Sequence, residues 1–210
     1  MTTITFKFKT MVSTIKKFGF AVLITVMGVF TANAQNAIMW KLDKSHTSVN
    51  FSINHFFSAV TGKFKTFDGN FQFDPNNLQS SKADFTISVK TLSTDDSKRD
   101  KHLQSADFFD AKSFPNMTFK STKFEKKSDK EFLVHGKLTI KDKTKDVILP
   151  MKITGEMEHP MMKGTIILGV VIDTTINRTE FGVGTGSWAA TMVVGDEVRI
   201  HIPMELNRMK

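Results

Sequence analysis

Six histidines, His46, His55, His102, His135, His159 and His201, are the residues of this chain best suited to hold a metal or move a proton. Their spacing supports neither role. A zinc site needs a compact ligand set such as H-x-H, H-E-x-x-H or paired cysteines, and the chain has no cysteine. His135 and His201 fall on the polar face of alternating segments and read as solvated. His46 and His55 flank the first such segment, too far apart to be neighbours on it, and read as hydrogen-bonding groups at strand ends. Asp43, Ser45 and His46 are the residue types of a hydrolytic triad, but adjacent residues on an extended chain point opposite ways, so no nucleophile stands beside its base. Gly182-x-Gly184-x-Gly186 is rich in glycine, as phosphate loops are. A dinucleotide fingerprint also requires a preceding strand, a following helix and a distant acid, whereas here Ser187-Trp188-Ala189 leads into Thr191-Met192-Val193. That segment, Asn177 to Ser187, reads as a flexible loop. Arg99-Asp100-Lys101-His102 is the densest charge cluster, either the solvated face of a short helix or a polar rim able to meet an anionic head group or a partner. No catalytic residue and no metal site is expected.

The element that carries this charge cluster is the one break in a long alternating pattern. Ser97 with Asp100 three positions later predicts a helix start in which hydroxyl and carboxylate cap each other's free N–H groups. Leu103, Phe108 and Phe109 then predict an aromatic plug closing one end of a β structure, because each phenylalanine left in water forgoes roughly 2–3 kcal/mol of burial. Pro115 ends the insertion and pushes Phe114 towards an extended conformation, so a strand should begin near Asn116.

On both sides of the insertion, every second residue is apolar. Val49, Phe51 and Ile53 alternate with Ser48, Asn50 and Ser52, and Ala83, Phe85, Ile87 and Val89 repeat the pattern. Phe132, Val134, Gly136, Leu138 and Ile140 do the same, as do Val147 to Ile153 and Val198 to Leu206. Asp68-Gly69 and Gly195-Asp196 read as hairpin turns, Gly155 to Lys163 as a loop, and His55-Phe56-Phe57 as a turn. Ile167 and Val171 make the Ile166–Ile172 strand apolar on both faces, so part of its outer face should be covered. Eight or so strands joined by short turns imply an all-β antiparallel meander, a barrel or a sandwich. The second face carries Lys, Asp, Ser and Thr, the reverse of a membrane barrel, so the apolar side points inward. Twenty phenylalanines and no tyrosine suit a dry interior.

The front of the chain reads differently. Lys7, Lys9, Lys16 and Lys17, an apolar run from Phe18 to Phe30, and Ala32-Asn33-Ala34 have the layout of a secretory signal peptide cleaved after Ala34. The run is short for a membrane span, which needs about 20 residues. Residues 35–210 then form one domain, large enough to bury a core without disulfides, and located in the periplasm or secreted. Without those four lysines the net charge falls from +8 to +4. The remaining lysines are scattered, which gives nucleic-acid binding no support.

Several of these residues together resemble a known family. Trp40-x-Leu42-Asp43-x-x-His46-x-x-Val49-x-Phe51-x-x-x-His55, Gly62-x-Phe64, Lys98-Arg99-Asp100-x-His102-Leu103-x-x-x-Asp107-Phe108-Phe109-Asp110, Gly136-x-Leu138-Thr139-Ile140 and Asn177-Arg178-x-x-Phe181-Gly182 are similar to the YceI-like family of periplasmic proteins. The resemblance covers nearly all of residues 35–210. It implies an extended, lipocalin-like antiparallel barrel of about eight strands, with a helical insertion near residues 97–110. It also implies an apolar tunnel for a polyisoprenoid or other long lipid tail, frequent homodimers, a link to stress or isoprenoid quinones, and no catalysis. Apart from that bound isoprenoid or fatty lipid no cofactor is expected, and the partners are the lipid and, transiently, a membrane.

On this reading Phe51, Ile53, Phe64, Phe71, Phe85 and Ile87 line the tunnel, together with Phe119, Leu138 and Ile140, and Phe108 and Phe109 close one end. Phe56-Phe57 departs from the family pattern and would narrow the tunnel and shorten its guest. Two other readings stand beside the carrier. One is a structural or partner-binding barrel with a packed interior; the other is an enzyme acting on such a lipid through His46, or through His102 with Asp100.

Overall fold

The computed structural model describes residues 37–210, so the expected signal peptide lies outside the described residues. Eleven strands alternate around one inner face: β1 (Met39–Asp43), β2 (Val49–His55), β3 (Ser58–Phe64), β4 (Phe67–Gln72), β5 (Lys82–Ser88), β6 (Leu92–Ser93), β7 (Asn116–Lys126), β8 (Glu131–Ile140), β9 (Lys143–Glu158), β10 (Thr165–Asn177) and β11 (Val194–Met209). Among the described residues one α-helix, α1 (Ser97–Leu103), stands between β6 and β7. Eight strands close an antiparallel ring in the order β1-β4-β5-β7-β8-β9-β10-β11, sealed by β1 against β11. The remaining three, β2-β3-β6, extend from the same edge of β11.

Strand β11 therefore serves two neighbours on one edge. Its C-terminal half pairs with β1 (Leu42↔Leu206) and its N-terminal half with β2 (Phe51↔Ile200). Pro203 lies at the handover. Its carbonyl accepts from Ser48 N–H at 3.1 Å, so its nitrogen also faces the gap between β1 and β2, where a missing N–H leaves no ladder bond broken. Thr47, buried beside it, receives the Glu205 N–H at 3.1 Å.

Several turn signals in the sequence fall inside strands. Asp68-Gly69 lies within β4, Gly155 within β9 and Gly195-Asp196 within β11. Glycine in a strand marks irregular pairing or a close approach as readily as a turn. Gly155 adjoins the register shift between Gly169 and Val170, Gly195 lies in the shift between Val194 and Val198, and Gly69 lies under the Phe85 ring. The segment read as a flexible loop from Asn177 holds two turns of 3₁₀ helix, Arg178–Phe181 and Gly186–Ala189. Ile167 and Val171 are half-buried on the outer face, set between Met157 and Asn207 and between Lys152 and Pro203 of the flanking strands.

The cap of helix α1 lies one residue earlier than predicted. Asp96, not Ser97, is the N-cap, accepting from the Lys98 and Arg99 N–H groups at 3.0 Å each, and these bonds lower its pKa. Asp100 is drawn elsewhere: its carboxylate accepts from Thr94 N–H (2.8 Å) and Thr94 Oγ1 (2.6 Å). Arg99 donates to the same Thr94, through Nε to Oγ1 at 2.7 Å and Nη2 to the carbonyl at 2.8 Å. Two charges on adjacent residues thus grip one buried threonine and fix α1 to the residue that follows β6.

Candidate functional site

The inner face of the barrel divides into a filled part and a hollow one. Around Trp40, Phe73, Phe124 and Phe132 the rings interlock: Phe73 stands edge-on to Phe132 at 5.0 Å and stacks on Phe71 at 5.7 Å. Trp40 Nε1 donates to the Phe73 carbonyl at 3.0 Å, and the Arg208 guanidinium lies 5.1 Å from the Trp40 ring. Next to this plug is a cavity of about 560 Å³, walled almost wholly by apolar side chains. That volume is in the range of sites that enclose a small ligand.

All eleven residues expected to line a tunnel face this cavity: Phe51, Ile53, Phe64, Phe71, Phe85, Ile87, Phe108, Phe109, Phe119, Leu138 and Ile140. The space survives among so many rings because of three glycines. Phe51 lies over Gly62, Phe85 over Gly69 and Phe119 over Gly136; a Cβ at any of them would come within 2.3–2.5 Å of the ring. Laid flat on the neighbouring strand, these rings line the wall instead of projecting across the lumen. Gly62 and Gly69 directly oppose Phe51 and Phe85 in the register.

The insertion after β6 closes one side of the cavity, as the sequence predicts. Phe108 is 5% exposed, and Phe109 meets Phe64 edge-on at 6.0 Å. His102 belongs to this plug. Its ring is edge-on to Phe108 (5.1 Å) and Trp188 (5.0 Å), and Nε2 lies 3.1 Å from Asp107. It is not paired with Asp100, which Thr94 engages, so the His102–Asp100 pair does not assemble. Trp188, Val183 and Arg178 also line the cavity and had no signal in strand alternation. Arg178, 4% exposed, donates to four carbonyls: Gly195 (2.7 Å), Val183 (2.7 Å), Trp188 (2.9 Å) and Val194 (2.8 Å). Burial lowers its pKa and nearby Asp196 opposes that shift. A buried, fully engaged guanidinium is a clamp that shapes the segment beside the mouth.

Two expectations are corrected. Phe56 and Phe57 do not narrow the cavity; they form the tip of the β2–β3 hairpin and point outward, Phe57 fully exposed. Asp43 and His46 do come together, because the chain turns after β1 instead of staying extended. Asp43 receives Ser45 N–H at 2.8 Å and His46 Nδ1 at 3.1 Å, with Glu205 3.7 Å from the same nitrogen. Among the described residues these three are the one trio whose donor atoms lie within 4.8 Å of one another. The hydrogen bond to Asp43 raises the His46 pKa, and its counterpart lowers that of Asp43. The other histidines are engaged locally. His201 Nδ1 lies 2.6 Å from Asp173, His135 Nε2 lies 3.4 Å from Glu125, His159 Nδ1 accepts from Met161 and Met162 N–H, and His55 stacks edge-on against Phe56.

Residues 40–206 match the YceI-like domain. The chain belongs to the YceI-like family. Protein YceI of Salmonella arizonae is 40% identical over 135 residues, covering 63% of this chain and 70% of its own. The crystal structure of Burkholderia cenocepacia BcnA superposes with a TM-score of 0.69 at 30% identity, over 79% of this chain and 99% of that one. A polyisoprenoid binding domain from Saccharophagus degradans has the same fold at a TM-score of 0.60, with 11% identity over 81% and 98% of the two chains. In this YceI-like chain the Arg99-Asp100-x-His102 run anchors and packs the plug.

Proposed function

We propose that this YceI-like protein is a carrier, or sequestering protein, for a polyisoprenoid or another long-chain lipid, binding it without chemistry. The observation that carries the reading is the apolar cavity of about 560 Å³ held open by the glycine–phenylalanine pairs. An eight-stranded barrel either fills its interior or has room for one guest, and here part of the interior is left unfilled. Each buried CH2 contributes roughly 0.8 kcal/mol, so about ten give ~8 kcal/mol before the cost of ordering the tail. The name of the Saccharophagus degradans neighbour points to the same class of guest. The leader-like residues Met1 to Ala34 support a periplasmic or secreted location. Solvent extraction and native mass spectrometry of purified protein should release a long apolar molecule in a one-to-one ratio. Protein that is consistently empty, and takes up no isoprenoid or fatty probe, sinks the reading.

A further inference from the structure

The outward-facing hairpin tip is unexplained by folding. Phe56 is 55% exposed and Phe57 104% exposed, and Phe56 has φ +50°. A bulky side chain is a rare occupant of left-handed backbone, and a two-residue hairpin with positive φ at its first central position favours glycine. The tip thus carries two rings in water and one in an unfavoured conformation, and neither contributes to the core.

The tip does not stand alone. Phe56 N–H donates to the Val193 carbonyl at 2.9 Å and His55 pairs with Val194, which sets the tip beside the Phe181–Gly195 segment with its exposed Met192. Ser45 to Gly62 contains no Lys, Arg, Asp or Glu, and neither does Phe181 to Gly195, in a chain in which 24% of residues carry such charges. The two uncharged stretches are neighbours in space, and His55, Val60, Trp188 and Val194 from them also line the cavity. Uncharged residues therefore lead from the tip into the lumen, whose lining carries its charges elsewhere, on Asp96, Lys98 and Arg99 at the start of α1 and on the buried Arg178.

We propose that this tip is a wedge that inserts into the surface of a lipid bilayer and brings the cavity mouth against it. The proposal rests on the carrier reading and adds where the exchange takes place. A bilayer suits the tip better than a second copy of the chain does. Two phenylalanines and a methionine offer roughly 500 Å², while a stable protein interface needs about 800 Å² from each partner. Insertion also requires that no charge be stripped of water, and the tip has none to strip. The exposed methionines Met157, Met161 and Met209 are a poorer wedge. Around them stand the ion pairs Lys210–Glu158 (3.1 Å) and Arg208–Glu156 (3.8 Å), which would have to be dehydrated.

The test is flotation of the purified full chain with phosphatidylcholine vesicles at low and high salt, alongside extraction of its bound lipid. Wild type should float equally at both salt levels. The double variant Phe56→Ser/Phe57→Ser should lose on the order of tenfold in partitioning while keeping the wild-type melting temperature and lipid content. Phe57→Ser alone, at a side chain that leaves no core contact behind, should show part of the loss and guards against misfolding of the double variant. The proposal is overturned if wild type does not float, if wild type and variant float alike, or if salt releases the protein. A dimer in sedimentation velocity that the double variant dissolves, without vesicle binding by wild type, assigns the tip to a second copy and overturns it too. Wild type that floats through these rings but yields no lipid and takes up no probe leaves the wedge standing and removes the carrier.

Discussion

The filled and hollow parts of the barrel interior are built from the same kind of residue and reach opposite ends. Around Phe73 and Phe132, each 1% exposed, every ring meets another ring, and the barrel is solid. Around Phe51, Phe85 and Phe119 each ring meets a glycine and lies down against the wall, and the barrel is open. Hydrophobicity alone does not separate the two; the residue beneath the ring on the neighbouring strand does. A vacant lumen in a phenylalanine-rich protein is thus a matter of what the ring lies on, and three small residues decide it.

The comparison can be broken most forcefully by truncating one ring in each part. Phe132→Ala should destabilise the fold by about 3–5 kcal/mol in denaturant unfolding, because it leaves a void in close packing. Phe85→Ala, at a half-buried ring that already faces empty space, should cost less than half of that and enlarge the cavity. Equal losses would mean that the hollow part is packed in solution. Gly62→Ala sharpens the contrast from the other direction. The atoms nearest its Cβ would be those of the Phe51 ring and the Thr94 methyl, whereas a Cβ at Gly69 or Gly136 also meets backbone. Forcing Phe51 into the lumen should lower uptake of a fluorescent fatty probe by about tenfold, for a stability loss of about 1–2 kcal/mol. Unchanged uptake would show that the ring does not set the volume.

The smallest effect is expected at the seam where β11 passes from β1 to β2. His46 has its pKa raised by Asp43, so its share of stability is complete below the unfolded-state value and fades as pH climbs through the folded one. Asp43 has its pKa lowered, so its share is complete above the usual carboxylate range and fades as pH falls through its folded value. The pair is therefore most favourable between the two. Asp43→Asn should return the His46 titration midpoint, followed by NMR, towards about 6.5. A midpoint that does not move would place the cause elsewhere.

Alternation made the strands, the inward face and the plug legible from sequence, because a two-residue period has one reading in a chain with a wet outer face. Glycine had more than one. Asp68-Gly69 and Gly195-Asp196 carry turn chemistry, yet in the fold Gly69 makes room for a ring on the next strand and Gly195 lies in a register shift against a strand remote in sequence. The departure of Phe56-Phe57 from the family pattern implies a narrower tunnel, although their place at a two-residue turn sends both rings out. An extended chain would keep Asp43 and His46 apart, but the bond from Ser45 N–H to the Asp43 carboxylate turns it. Arg178 was within the family pattern, but its four carbonyl partners come from a segment with no periodicity to announce it.

The seam between Lys41 and Asn207 also governs when the protein can first do anything. It joins the two extremities of the domain, a contact of the longest range available, and such contacts are slow to form because the loop they close is most of the polypeptide. A ribosome must release strand β11 before the ring can shut. Whatever the barrel comes to hold is taken up once that seam is made, not wrapped while β11 is still being synthesised.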